Sequence, residues 1–147
     1  MILYRISGKI KQMANGKPIL KEKDKKKLPK IGKLQNNCDR RMQEIGKIIH
    51  PKSLISGQPT EVHHHFIPKS VSSALRYDWD NLIPLTNAEH CRIHQSEDPD
   101  KEMQIVRIKG LDWYNKLKAK SRNPMKINRE YYLSVAEKLE NHLARFL

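Results

Sequence analysis

The chain is poor in cysteine and has no long apolar run. Its two cysteines, Cys38 and Cys91, do not make a disulfide framework, so a reducing, cytoplasmic setting is expected. No stretch approaches the roughly 20 apolar residues of a membrane span, and the first residues lack the apolar core of a signal peptide. A glycine-rich phosphate loop is absent too. The sequence therefore predicts neither a membrane protein nor a secreted disulfide scaffold.

Acidic residues are outnumbered by basic ones, most strongly in the first third of the chain. The sequence of 147 residues has 29 Lys+Arg and 16 Asp+Glu, for a formal net charge of +13. Residues 1–52 hold 15 Lys+Arg against 4 Asp+Glu, a net +11, whereas residues 53–147 hold 14 against 12, a net +2. This distribution predicts a polyanionic partner for the N-terminal third. The alternative interpretation is a solvated, lysine-rich tail.

Histidine is concentrated in residues 61–94, which hold five of the seven histidines in the chain. Near the end of this stretch, a short apolar run at 81–85 predicts a buried strand. Thr86 and Glu89 follow with the spacing of a capping box, in which each residue bonds to the backbone N–H of the other. A helix is therefore expected to begin at Asn87.

The predicted helix and a second predicted strand, which lies earlier in the chain, bring histidines toward one another. On the helix, His90 and His94 lie one turn apart on the same face, where two imidazoles can bind one metal ion. A second strand is predicted over the histidine triplet, and successive side chains of a strand alternate. His64 and His65 then face opposite ways, while His63 and His65 share a face. One of the adjacent pair can bind metal while the other acts on a proton.

Two further residues of this stretch, His63 and Glu61, have more than one possible role. His63 is predicted to face solvent, because alternation sets it opposite the ligand His64. The alternatives are a contact to a ligand histidine or to a phosphate. Glu61 supplies a carboxylate that could orient one of the histidines by accepting its second N–H.

Three features of this stretch together resemble the HNH endonucleases with their ββα-metal fold. They are the pattern HHFIPKS, the asparagine in DNLIPL, and two histidines four residues apart. The resemblance covers about a quarter of the chain closely. It implies that His65, three residues before the proline, is the general base. It implies that His64, His90 and His94 hold the metal ion, and that Asn81 fixes the loop and the orientation of His65.

The resemblance also implies one divalent metal ion, with magnesium or manganese supporting activity. Three imidazoles suit zinc, nickel or manganese better than magnesium, which prefers oxygen ligands. Many relatives carry two C-x-x-C pairs that bind a structural zinc. Here those positions fall at Thr86 and Glu89 and near His50 and Ser53, and none of them is a cysteine. No structural zinc knuckle is therefore expected.

The implied partner is DNA, with no membrane, and the implied setting is a phage or prophage protein in a bacterial host. Lys69 and Arg76 are the nearby cations that could hold a phosphate, but Arg76 could equally pair with Asp78 or Asp80. The sequence leaves a homodimer open. It also leaves open a nuclease that acts on RNA, and a metal-stabilised module that binds nucleic acid without cutting it.

The expected fold class is α+β, with a small ββα-metal core flanked by α-helices and preceded by a basic extension. Residues 1–33 are expected to form this basic arm, with a marginal hairpin at most. Residues 34–147 are expected to form the nuclease domain, with its core at about 61–96 and C-terminal helices at about 98–147.

Helical spacing on both sides of the histidines predicts the flanking helices. One covers 34–49, with Gly46 as its weak point, and the others follow N-caps at Asp98 and Asn128. Gly110 is expected to kink or shorten the helix that follows Asp98. The side chains expected to face a core are Leu34, Cys38, Met42, Ile45 and Ile48 or Ile49 in the first helix, Met103, Val106, Trp113 or Tyr114, and Leu117 in the second, and Tyr132, Val135, Leu139, Leu143 and Phe146 in the last.

Overall fold

The computed structural model describes residues 28–95 and 99–147, and before them the backbone of four short strands. The chain forms two compact units, Met1–Lys30 and Ile31–Leu147. In these described ranges no helix is long and apolar enough to span a membrane.

Two short antiparallel pairs make up the described part of the first unit. Strand β1 (Tyr4–Ile6) pairs with β2 (Lys9–Lys11), and β3 (Met13–Ala14) pairs with β4 (Lys17–Pro18). Ala14 lies opposite Lys17 in the second pair. The expected turn at residues 15–16 and most of the charged run at 21–30 lie outside the described residues.

The second unit has mixed α and β structure, with a two-stranded antiparallel sheet and five helices in the described residues. The sheet pairs β5 (Val62–His65) with β6 (Leu82–Leu85), so that His64 lies opposite Ile83 and His65 opposite Leu82. A 3₁₀ turn, Trp79–Asn81, leads into β6. The helices are α1 (Ile31–Ile49), α2 (Asn87–Gln95), α3 (Pro99–Lys109), α4 (Leu111–Ser121) and α5 (Arg129–Ala144).

The first hydrophobic core lies mainly between α1 and α5. Both helices present apolar side chains at spacings of three and four residues, which places these side chains on one face. The Asn128 side chain accepts the N–H of Tyr131 and caps α5, as its position in the sequence predicts. Burying a leucine or isoleucine side chain contributes about 1.5–3 kcal/mol. The buried members are Cys38, Met42, Ile45, Ile49, Leu82, Tyr132, Val135, Leu139 and Leu143.

A second core lies on the other side of the sheet, against α3 and α4. Its buried members are Phe66, Ile67, Leu75, Ile83, Leu85, Ile105 and Leu117. The two cores enclose the short sheet, and this burial fixes where each strand side chain can point.

Two predicted core positions, Met103 and Phe146, were wrong. Met103 is 47% exposed, and Ile105 is buried in its place at 0% exposure. The predicted spacing ran from Met103 to Leu117 across Gly110. Gly110 has a φ of 97° and ends α3, so it shortens the helix as expected, and the spacing does not carry into α4. Phe146 lies beyond the end of α5 and is exposed, and in α1 the buried residue of the two alternatives is Ile49.

Candidate metal centre

Three imidazoles from β5 and α2 converge on one point. His64 is buried on the strand, and its ring centroid lies 5.3 Å from that of His90 and 5.2 Å from that of His94. The two helix rings are 4.5 Å apart. Each histidine offers a nitrogen, and these nitrogens all lie within 4.8 Å of one another. The cluster could therefore hold a metal ion.

The spacing of the nitrogens fits a small divalent ion. The Nε2 atoms of His90 and His94 are 3.0 Å apart. A tetrahedral ion with metal–nitrogen bonds of about 2.0–2.1 Å separates its ligands by about 3.3 Å. The two nitrogens on α2 are within about 0.3 Å of that separation.

Two of the three imidazoles, those of His64 and His90, have a lowered pKa. Burial, followed by the nearby charges of His90 and His94, lowers the pKa of His64 to about 4. Burial, followed by the charge of His94, also lowers the pKa of His90. A neutral imidazole has the free lone pair that a metal requires, so protons compete little for His64 near neutral pH.

The start of α2 is fixed by carboxylates that bond to its first N–H groups. The capping box forms as predicted: Glu89 Oε2 accepts the N–H of Thr86 at 2.8 Å, and Thr86 Oγ1 accepts the N–H of Glu89 at 3.2 Å. The Ser53 hydroxyl also donates to Glu89 Oε2, at 2.6 Å. These bonds tie the start of the helix that carries two of the three imidazoles to the loop before β5.

Glu61 has a different contact from the one suggested by the sequence. Its Oε2 accepts the backbone N–H of Asn87 at 2.9 Å and does not orient a histidine. A carboxylate at the N-terminus of a helix is favoured by the positive end of the helix dipole. Glu61 therefore supports the imidazole cluster indirectly, by fixing α2 relative to β5.

His65 is the next residue on β5, and its ring is oriented by a backbone carbonyl. Its Nε2 lies 2.9 Å from the carbonyl oxygen of Arg76. Because a carbonyl can only accept, Nε2 carries the hydrogen of the neutral ring and the lone pair lies on Nδ1. Burial lowers the pKa of His65 despite the opposing effect of this hydrogen bond. The ring lines a cavity of about 180 Å³ on the side of α1.

Asn81 is fully buried, at 0% exposure, and ties two loop segments together. Its Oδ1 accepts the N–H of Ile67 at 2.8 Å, and its Nδ2 donates to the carbonyls of Ile67 at 2.9 Å and Leu75 at 3.2 Å. These bonds hold the segment that follows His65 against the segment that precedes Arg76. The expectation that Asn81 fixes a loop therefore has a structural basis, although no bond joins it to the imidazole of His65.

Arg76 pairs with a residue that the sequence did not suggest. Its Nε donates to Asp39 Oδ1 at 3.0 Å, and its Nη2 donates to Asp39 Oδ2. The alternative in which Arg76 pairs with Asp78 or Asp80 is wrong, since those two carboxylates bind Lys120 of α4, at 3.0 and 3.2 Å. Asp39 lies in α1, 37 residues before Arg76, and no local pattern points to it.

His63 is buried, so the prediction that it faces solvent is wrong. Its side chain is 2% exposed and packs against Gly46 of α1. Neither ring nitrogen has a hydrogen-bond partner in the part of the chain that the structure describes. Burial, followed by the charge of His50, lowers its pKa to about 4. The alternation of the strand was predicted correctly, but α1 covers the face that was expected to be open.

Comparisons with protein-family models, with curated proteins and with solved structures give no match. The candidate site therefore rests on the residues and the geometry of this chain.

Proposed function

We propose that the protein is a metal-dependent endonuclease of the HNH type that hydrolyses phosphodiester bonds of DNA. In this proposal β5, β6 and α2 form the small ββα-metal core. One observation carries it: three imidazoles form a cluster that could hold one ion, and the neighbouring His65 is neutral and is not used in that cluster. A structural metal site needs four ligands and has no use for a spare base beside it.

His64, His90 and His94 are the residues that would hold the ion. A divalent ion bound there would supply positive charge to the scissile phosphate and to the leaving 3′ oxygen. Three protein ligands leave coordination positions open for water and substrate, as catalytic sites require. Magnesium or manganese is proposed for activity, and zinc or nickel suits the imidazole ligands.

His65 is proposed as the general base. Its Nε2–H donates to the Arg76 carbonyl, which holds the ring and leaves Nδ1 to accept a proton from the attacking water. After the transfer the imidazolium keeps the same hydrogen bond, so no rearrangement of the ring is needed. General base catalysis of this kind contributes about 10²–10⁴ in rate. The expected products carry 5′-phosphate and 3′-hydroxyl ends.

DNA is proposed as the substrate because the chain is strongly basic, with a formal net charge of +13 concentrated before residue 53. Lys69 and Arg76 are proposed as contacts to phosphate close to His65. A homodimer would be the simplest way to cut both strands. RNA as the substrate, and a metal-stabilised module that binds nucleic acid without cutting it, are alternatives that the same experiment separates.

The test is cleavage of a plasmid, and in parallel of a labelled RNA, with Mg²⁺ or Mn²⁺, comparing the wild type with His65→Ala at equal, measured metal occupancy. His142→Gln removes an imidazole from α5, away from the site, and is the matched control. We expect the wild type and the control to cut, the chelator to stop them, and His65→Ala to bind metal and DNA while cutting at least about 10²-fold more slowly.

Two results would contradict the proposal. Cleavage by His65→Ala at the rate of the wild type would remove the assigned base. If all three proteins hold metal and bind DNA but cut neither DNA nor RNA, the protein is a non-catalytic module.

A further inference from the structure

Asp39 of α1 lies between two cations and next to the proposed base. Its carboxylate accepts two hydrogen bonds from Arg76 and lies 3.6 Å from the Nζ of Lys69. The Arg76 side chain is 19% exposed and that of Asp39 is 22% exposed, so this pair is largely shielded from water. Burial alone would raise the pKa of Asp39, but the hydrogen bonds from Arg76 and Tyr77 and the charge of Lys69 outweigh it and lower the pKa. Asp39 is thus a carboxylate that stays ionised among cations.

The cavity beside this pair has the size and charge to accept a phosphate. It has a volume of about 180 Å³ and is lined by Asp39, Arg40, Lys69, Arg76 and His65, with Met42 and Gln43. Since one water in the liquid takes up about 30 Å³, the cavity can take a phosphate group together with some water. Three cations against one carboxylate give its walls a net positive charge of two, because His65 is neutral.

Arg76 links Asp39 to His65 through two different groups. Its guanidinium is held by Asp39, and its backbone carbonyl accepts the Nε2–H of His65. The fork of two hydrogen bonds fixes the Arg76 side chain against α1, and this restricts the backbone that orients the imidazole. At the same time, Asp39 occupies N–H groups and positive charge that a phosphate would otherwise use.

We propose that Asp39 is a positioning residue of this cavity: it aligns Arg76 and His65 for cleavage, and in doing so it weakens the hold of the cavity on a backbone phosphate of the nucleic acid. The catalytic part of this inference rests on the proposed function. The phosphate-binding part does not, because it can be measured without cleavage.

Asp39→Asn tests both parts with one substitution. Asparagine has the same shape but no charge, so the cations become available while the fork to Arg76 is weakened. We expect tighter binding of a fluorescein-labelled DNA duplex in chelator, with the slope of log K against log salt steeper by about 0.9 for one added phosphate contact. We expect kcat in Mn²⁺ to fall about tenfold to a hundredfold, as for a misplaced catalytic group.

Asp112→Asn is the matched control, because it removes one exposed carboxylate from the start of α4 and changes the net charge equally. A purely structural role for Asp39 would lower the melting temperature and would weaken binding and cleavage together. Opposite changes in binding and kcat therefore support the proposal. If Asp39→Asn has the salt slope of Asp112→Asn, or the kcat of the wild type, the proposal is overturned.

Arg76→Lys is the second variant, in case Asp39→Asn does not fold. It keeps the charge and the ion pair with Asp39 but loses the fork, so kcat should fall while the salt slope stays the same. An unchanged kcat would overturn the positioning role. If the wild type cuts no nucleic acid, the proposed function and the positioning role fail together, and the salt slope of Asp39→Asn still decides whether the cavity takes a phosphate.

Discussion

Replacing Gly46 of α1 by alanine tests how β5 is held, because the imidazole of His63 lies directly against this glycine. A Cβ at Gly46 would lie 2.7 Å from His63 Cε1 and 2.9 Å from both ring nitrogens. His63 is buried, so its ring cannot swing into solvent, and the strand or the helix must move. Overpacking of this kind costs about 1–3 kcal/mol, while alanine gains about 1 kcal/mol over glycine inside a helix. We expect Gly46→Ala to lower the free energy of unfolding by about 0–2 kcal/mol.

Gly32→Ala in the same helix is the matched control, because a Cβ at Gly32 would meet nothing within 4 Å. Gly32 lies in the first turn of α1, where alanine gains less over glycine than in the helix interior, so Gly32→Ala should be neutral to slightly stabilising. The free energies of unfolding of the two variants should differ by about 0–3 kcal/mol, with Gly46→Ala the less stable. Urea denaturation of the metal-free chain, followed by circular dichroism, measures this difference. Equal stabilisation by both alanines would refute the packing of β5 on α1. Because His64 follows His63 on the strand, Gly46→Ala should also weaken metal binding.

Three further substitutions or conditions give results that can be measured directly. Asn81→Ala leaves three buried backbone groups without their hydrogen-bond partner. It should lower the free energy of unfolding, measured in urea, by about 3 kcal/mol or more. A loss below about 1 kcal/mol would contradict this. His94→Ala should weaken metal binding by at least about a hundredfold in a calorimetric titration, whereas Cys91→Ser, a change at an exposed position of the same helix, should leave it unchanged. At saturating metal, the cleavage rate should stay constant from pH 8 to about 6.5 and fall only as the pH drops through the lowered pKa of His65. The reason is that the neutral imidazole is the active base. A rate that begins to fall above pH 7 would contradict the direction of this pKa shift.

The local features of the imidazole cluster could be predicted from the sequence because short-range rules determine them. The capping box sets the start of α2, and a spacing of four residues places His90 and His94 on one face. The period of two along β5 separates His64 from His65. The N-cap at Asn128 belongs to the same class, because its partner is three residues away.

The contacts that could not be predicted join residues far apart in the chain. The pattern of a strand gives the direction of each side chain but not what covers it, so the burial of His63 became visible only with α1 packed against β5. Gly46 looked like a weak point of its helix, although it provides the space for that imidazole. The pairing of Asp39 with Arg76 depends on the packing of α1 against the loop between the strands, and nearer carboxylates at Asp78 and Asp80 made the wrong pairing look equally good.

We propose that the imidazole cluster and His65 together hydrolyse a phosphodiester bond. The most direct test is incubation of an end-labelled DNA duplex, and of an end-labelled RNA, with the wild-type chain and Mn²⁺, followed by analysis of the product ends. We expect fragments with 5′-phosphate and 3′-hydroxyl ends from the DNA, and none when a chelator is present. If metal is bound at His64, His90 and His94 and no fragment forms from DNA or RNA with Mg²⁺, Mn²⁺, Zn²⁺ or Ni²⁺, this activity is contradicted.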